Sequence, residues 1–149
     1  MHQRFALFSL FAVLAAPSFG DPVYDYTTPE RALASLEQAL IAKDIEAAVR
    51  SKAFLKEAET MAVQKLKERA TKEIVASLAR SLEASYRLEM KKTGFPDFAS
   101  LKCTAKHELL APDVAVLTER CIFPDRGYSI QKLKAYRVNN EWKIGEPLE

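Results

Sequence analysis

Between Glu30 and Thr93 the chain contains neither glycine nor proline. That block is built from Ala, Leu, Glu, Lys and Arg, the strong helix formers. After Gly94 the composition changes to β-branched and aromatic residues punctuated by Pro and Gly, the pattern of strands and turns. Helices first and strands second predict an α+β fold, with N-terminal helices packed on a four-stranded antiparallel sheet. With 48% hydrophobic residues, the chain can bury enough surface to offset its ordering entropy, which excludes a disordered protein. A net charge of +2 does not require a polyanionic partner.

The first helix starts at Thr28, a capping residue, with Pro29 at the first helical position, where a missing N–H costs nothing. Leu33, Leu36 and Leu40 recur at helical spacing. Lys43-Asp44 interrupts, and Asp44 caps a short second helix through Val49. From Phe54 to Lys92 the apolar positions Val63, Leu66, Ala70, Ile74, Leu78 and Leu82 step by three or four. Steps of four drift around an ideal helix, so a bend or break is expected near Ala70-Thr71.

Residues 101–109 alternate, with Cys103, Ala105 and His107 on one face and Lys102, Thr104 and Lys106 on the other. Pro112-Asp113 is a turn signal. Folding the hairpin about it pairs residues whose numbers sum to 224, which sets Cys103 opposite Cys121. A disulfide is the expectation for that pair in an oxidising compartment. Tyr128 to Val138 form a third strand, Asn139-Asn140 a two-residue turn, and Glu141 to Gly145 a fourth strand. That turn places Arg137 opposite Trp142.

Residues 1–20, MHQRFALFSLFAVLAAPSFG, read as a secretory signal. Arg4 precedes an apolar run from Phe5 to Ala16, too short for the roughly 20 residues that span a bilayer. Pro17 and the small residues Ser18 and Gly20 follow. The expected mature product is a single domain, residues 21–149, exported without a membrane span, with a bacterial periplasm as its compartment.

The segment TTPERALASLEQALIAKDIEAAV (27–49) resembles the opening of nuclear transport factor 2-like domains, and YRVNNEWKIGE (136–146) is similar to their closing hairpin. The resemblance implies a curved sheet curling around the helices into a cone. It also implies a menu of uses that includes pocket enzymes, ligand binders and exported immunity proteins. The helical stretch from Phe54 to Lys92 is longer than that pattern needs.

His107 and Glu119 are diagonal neighbours on one face of the expected hairpin, a candidate acid/base pair at a small-molecule or isomerase-like pocket. The competing reading is an ordinary pair of polar neighbours. The resemblance implies Tyr86, Tyr128 and Tyr136 as candidate oxyanion donors, as in isomerase-like members of the superfamily, but those members also use buried Asp residues, and Asp97, Asp113 and Asp125 all fall in expected loops, so no transferable catalytic set emerges. Two thiols and one mature histidine fall short of a closed zinc site, and no cofactor or metal is expected. The cations of residues 65–92 alternate with glutamates, the pattern of a solvated helix face, so no nucleic-acid partner is expected. Trp142, Arg137, Tyr136 and Tyr128 are candidate binding residues, the first two as a stacked pair. The positive strand face of Lys102, Lys106, Lys132 and Lys134 suits an acidic partner. Together these observations favour an exported, non-catalytic protein-binding domain of the immunity or inhibitor type. A pocket protein using His107 and Glu119 is the alternative, and an accessory domain of an envelope assembly is a third possibility.

Overall fold

Helix α1 (Pro29–Ile41) starts where its capping chemistry requires, with the Thr28 hydroxyl accepting the Arg31 N–H at 3.2 Å and Pro29 in the first turn. This computed structural model describes residues 20–149 of the chain. The expected signal segment therefore lies, except for Gly20, outside the described residues.

Asp44 caps α2 (Ile45–Arg50) by accepting the Ala47 N–H at 3.0 Å. Helix α3 (Phe54–Leu66) ends where Lys67 adopts φ +52°, and a single 3₁₀ turn, Lys67–Arg69, follows. Thr71 then caps α4 (Lys72–Thr93), accepting the Ile74 N–H at 3.3 Å. The expected break at Ala70-Thr71 thus turns the long helical block into a hairpin, α3 packed on α4. Gly94 ends α4 at φ +81°, a conformation that glycine reaches without a Cβ penalty.

Strands β1 (Lys102–Ala111), β2 (Val114–Ile122), β3 (Tyr128–Val138) and β4 (Glu141–Leu148) form one antiparallel sheet in the order β1-β2-β3-β4. The chain is thus α+β, helices first and a meander second. Cys103 pairs with Cys121 and Arg137 with Trp142. Asn139 and Asn140 take φ +51° and +66°, the two positive values a tight hairpin turn of this hand needs. Strand β4 runs three residues beyond the expected end at Gly145. Pro147 sits within it, which an edge strand tolerates because one side of its backbone needs no ladder donor.

Helix α1 lies across one face of the sheet. Ala32 and Leu33 meet Ala115, Leu117, Leu133, Ala135, Trp142 and Ile144 in the main apolar cluster. The buried positions of β2 alternate, Ala115, Leu117, Glu119 and Cys121, as one covered face requires. The β4 edge is closed by the α2–α3 connection. Ile144 N–H donates to the Ser51 carbonyl at 2.8 Å, and Ala53 N–H donates to the Ile144 carbonyl at 2.8 Å. Strand β1 is the opposite edge. No helix among the described residues is long and apolar enough to cross a membrane.

Candidate functional site

Two regions carry exposed or chemically loaded side chains, one on each face of the β1–β2–β3 part of the sheet.

On the helix-covered face, polar groups gather where α1 passes over β1 and β2. Glu30 and Glu37 sit seven residues apart and so project from the same side of α1. Glu30 Oε1 accepts from the His107 backbone N–H at 2.9 Å and lies 2.5 Å from His107 Nδ1. Burial pushes the Glu30 carboxyl up, but the hydrogen bonds and charge of His107 outweigh it and hold the group below its ordinary value.

One position deeper, Glu119 is only 2% exposed. Its Oε2 accepts from the Gln131 side-chain amide, while its Oε1 has no donor among the described residues. Glu37 faces it from α1. Burial first, and then the hydrogen bond and negative charge of Glu119, push the Glu37 carboxyl up to about 8. Two neighbouring buried carboxyls are compatible when one of them is neutral, and the raised value makes Glu37 the one that holds the proton. One Glu119 carboxylate oxygen also lies within 4.8 Å of both cysteine sulfurs. Those sulfurs are bonded to each other at 2.04 Å across β1 and β2. In this state they are committed to each other and offer no thiolate to a metal. An opening of about 200 Å³ between α1 and β1, lined by Glu30, Leu33, Glu37, Cys103 and Ala105, reaches this cluster.

The structure therefore separates the expected His107–Glu119 pair. His107 meets Glu30, and Glu119 meets Glu37 and Gln131. The two are diagonal on the strands as the register requires, since Ala105 is opposite Glu119 and Leu117 is opposite His107. Each side chain instead meets a carboxyl on α1, Glu30 for His107 and Glu37 for Glu119. Glu30 and Glu37 are candidate functional-site residues that residue type alone does not single out on α1. Their signal is two glutamates one heptad apart that flank Leu33 on the apolar stripe of an otherwise well-patterned helix.

The other face of the sheet is uncovered at the end of the β2–β3 hairpin. Its cross-strand rungs run Lys102, Ile122, Tyr128, then Thr104, Arg120, Ile130, then Lys106, Thr118, Lys132. Tyr128 is 61% and Ile130 58% exposed, with Ile122 and Phe123 exposed beside them. The Arg120 guanidinium stacks over the Tyr128 ring at 4.9 Å. An apolar and aromatic centre is thus framed by Lys102, Lys106, Arg120 and Lys132.

Of the four residues singled out for binding, Tyr128 alone belongs to this surface. Trp142 is 6% exposed and packs in the main cluster. Arg137 donates through Nε to Asp113 at 2.9 Å rather than stacking on the indole. The Tyr136 ring lies against Gly145, where a Cβ would come within 2.5 Å of it. Its hydroxyl donates to Glu146 at 2.7 Å. Burial and the neighbouring carboxylate push that phenol up to about 12. Tyr86 stands edge-on to Phe54 at 5.6 Å between centroids, a packing role. Lys134 is half-buried and lies 3.7 Å from Glu146, outside the exposed patch. A larger groove of about 440 Å³ between α3 and α4 is mainly apolar; Glu59 and Lys72 are its charged lining residues, and Glu59 is paired with Lys56 at 3.0 Å.

No protein-family model matches the chain, and no curated protein matches it. Among solved structures, the chain is similar to one from Campylobacter jejuni described as a "putative NTF2-like transpeptidase". The two share 12% identity over 76% of this chain and 94% of that one, with a TM-score of 0.37. A likeness at that score carries no argument about function.

Proposed function

We propose that the chain is an exported, non-catalytic protein-binding module of the immunity or inhibitor type, and that its uncovered β1–β2–β3 face seats the partner. The single observation that carries this reading is the Tyr128–Ile130–Ile122 cluster, exposed and framed by cations. Buried anchors at protein interfaces are enriched in tyrosine and arginine, and Arg120 stacked on Tyr128 supplies both. The charged frame suits a partner that presents acidic residues around an apolar depression. Its main effect is on steering and on the salt dependence of association. Blocking works by occupation, the rigid sheet covering a cleft of a toxin or effector.

Export is part of the proposal. Residues 1–20 have the layout of a cleaved signal, residues 21–149 form the single mature domain, and the Cys103–Cys121 bond suits an oxidising compartment such as a bacterial periplasm.

The Glu37–Glu119 pair supports a second reading, a pocket protein. Its opening of about 200 Å³ is smaller than the roughly 300 Å³ at which small-molecule sites begin, which ranks it behind binding.

The test is capture of partners from the native exported fraction by the mature chain and by a Tyr128→Ala/Ile130→Ala variant. A captured protein is then purified and titrated. The expected result is a partner whose affinity for the variant is weaker by about 30-fold or more, the effect of losing a central anchor. Equal affinity for both forms, or a co-purifying small molecule with no protein, overturns the reading.

A further inference from the structure

We propose that the Cys103–Cys121 disulfide is a thiol–disulfide exchange site that accepts electrons from a dithiol, with the Glu37–Glu119 carboxyl pair as its built-in proton donor. The inference concerns the helix-covered face and does not rest on the binding reading.

Three observations converge. The two sulfurs are unequally accessible: Cys103 lines the opening between α1 and β1, whereas Cys121 is buried. A carboxylate oxygen of Glu119 lies within 4.8 Å of both sulfurs. Glu119 is almost wholly buried, and its Oε1 is unpartnered. A buried carboxylate with one oxygen left unpaired is costly, and a merely structural disulfide gains nothing from one at its side.

The chemistry follows from access and leaving-group stability. Exchange proceeds by in-line attack of a thiolate on one sulfur, and the other sulfur leaves as a thiolate. The dithiol first loses a proton to solvent. Its thiolate attacks Sγ of Cys103, the cysteine that lines the opening, the S–S bond breaks, and Cys121 departs with the electron pair. A thiolate expelled into a buried site beside a carboxylate is a poor leaving group. The proton shared by Glu37 and Glu119 goes to Cys121 Sγ and removes that penalty, and the carboxyl pair is reprotonated from solvent. The second thiol of the reductant then attacks the mixed disulfide, releases Cys103 with its proton, and leaves as a cyclic or protein disulfide. The dithiol is oxidised by two electrons and the cysteine pair is reduced by two.

The experiment measures the rate at which dithiothreitol reduces the folded mature protein, scored by trapping free thiols with a maleimide. Wild type is compared with Glu119→Gln and, because that buried site is sensitive, also with Glu37→Gln. Far-ultraviolet circular dichroism confirms that each variant is folded. A purely structural role for the pair predicts faster reduction in the variants, since a loosened site admits reductant more readily. Proton donation predicts the opposite sign. Reduction of wild type without unfolding, slowed by about tenfold or more in a folded variant, is the expected result. Unchanged or faster reduction in the folded variants overturns the proposal, as does reduction of wild type only at the rate of global unfolding.

Discussion

A Cys103→Ala/Cys121→Ala protein is expected to unfold with a free energy about 3 kcal/mol lower than that of the oxidised wild type. The bond joins residues 18 apart in sequence, and in the chain-entropy account a loop of that length removes about this much freedom from the unfolded state. The loss has a local side as well. Strand β1 is an edge strand whose ladder hydrogen bonds go to β2 alone, and its residues beyond Ala105 are exposed. Little apolar burial replaces the covalent link there. Urea denaturation monitored by Trp142 fluorescence measures the change, and heating should show a midpoint lower by roughly 10 °C. A difference below about 1 kcal/mol would mean that the hairpin holds its register without the bond.

The second large effect is a dependence of stability on pH that runs opposite to ordinary acid denaturation. The Glu37 carboxyl is raised in the folded chain to about 8 from an ordinary 4.5, through burial and the adjoining Glu119. A raised acid binds a proton more tightly folded than unfolded. Its stabilising contribution is therefore complete below pH 4.5 and is lost as pH rises towards 8. The slope in that interval is about 1.4 kcal/mol per pH unit for one fully shifted proton. Glu37 is half-buried, so screening by water reduces the total from about 5 kcal/mol to about 3 kcal/mol. Glu37→Gln keeps the shape and removes the titration. The stability difference between Glu37→Gln and wild type should shift in favour of the variant by about 2 kcal/mol between pH 5 and pH 8. A difference that is flat across this range would show that the two carboxyls do not share a proton.

The sheet was largely legible in the sequence because strand pairing is set by local chemistry. Pro112-Asp113 and Asn139-Asn140 fix two turns. The second sets Arg137 opposite Trp142 directly, whereas the first closes with Ala111 opposite Val114, and an irregularity between Leu109 and Ala111 then shifts the register by the one residue that brings Cys103 opposite Cys121. The helix starts were legible for the same reason, since Thr28 and Asp44 cap through atoms three residues away. The polar cluster was not. Whether His107 turns to Glu119 on the next strand or to Glu30, 77 residues away, depends on how α1 crosses the sheet, and no local pattern encodes that angle. The fate of Trp142 is similar. The indole belongs equally to a core or an interface by residue type, and the arrival of Tyr26, Ala32 and Leu33 over it decides for the core. The uncovered patch was half-legible. Alternation sets Lys102, Lys106 and Lys132 on one face, but that Ile122, Tyr128 and Ile130 stay exposed beside them depends on where the helices stop covering the sheet.

The most direct test of the binding account is photocrosslinking in the native organism with p-benzoylphenylalanine placed at position 128 (Tyr128→p-benzoylphenylalanine). The same group at the exposed position 81 of α4 (Ser81→p-benzoylphenylalanine) is the control. If the uncovered face seats the partner, position 128 gives one discrete protein adduct and position 81 gives none. Illumination that yields no adduct at position 128, or the same adducts from both positions, would contradict that seating.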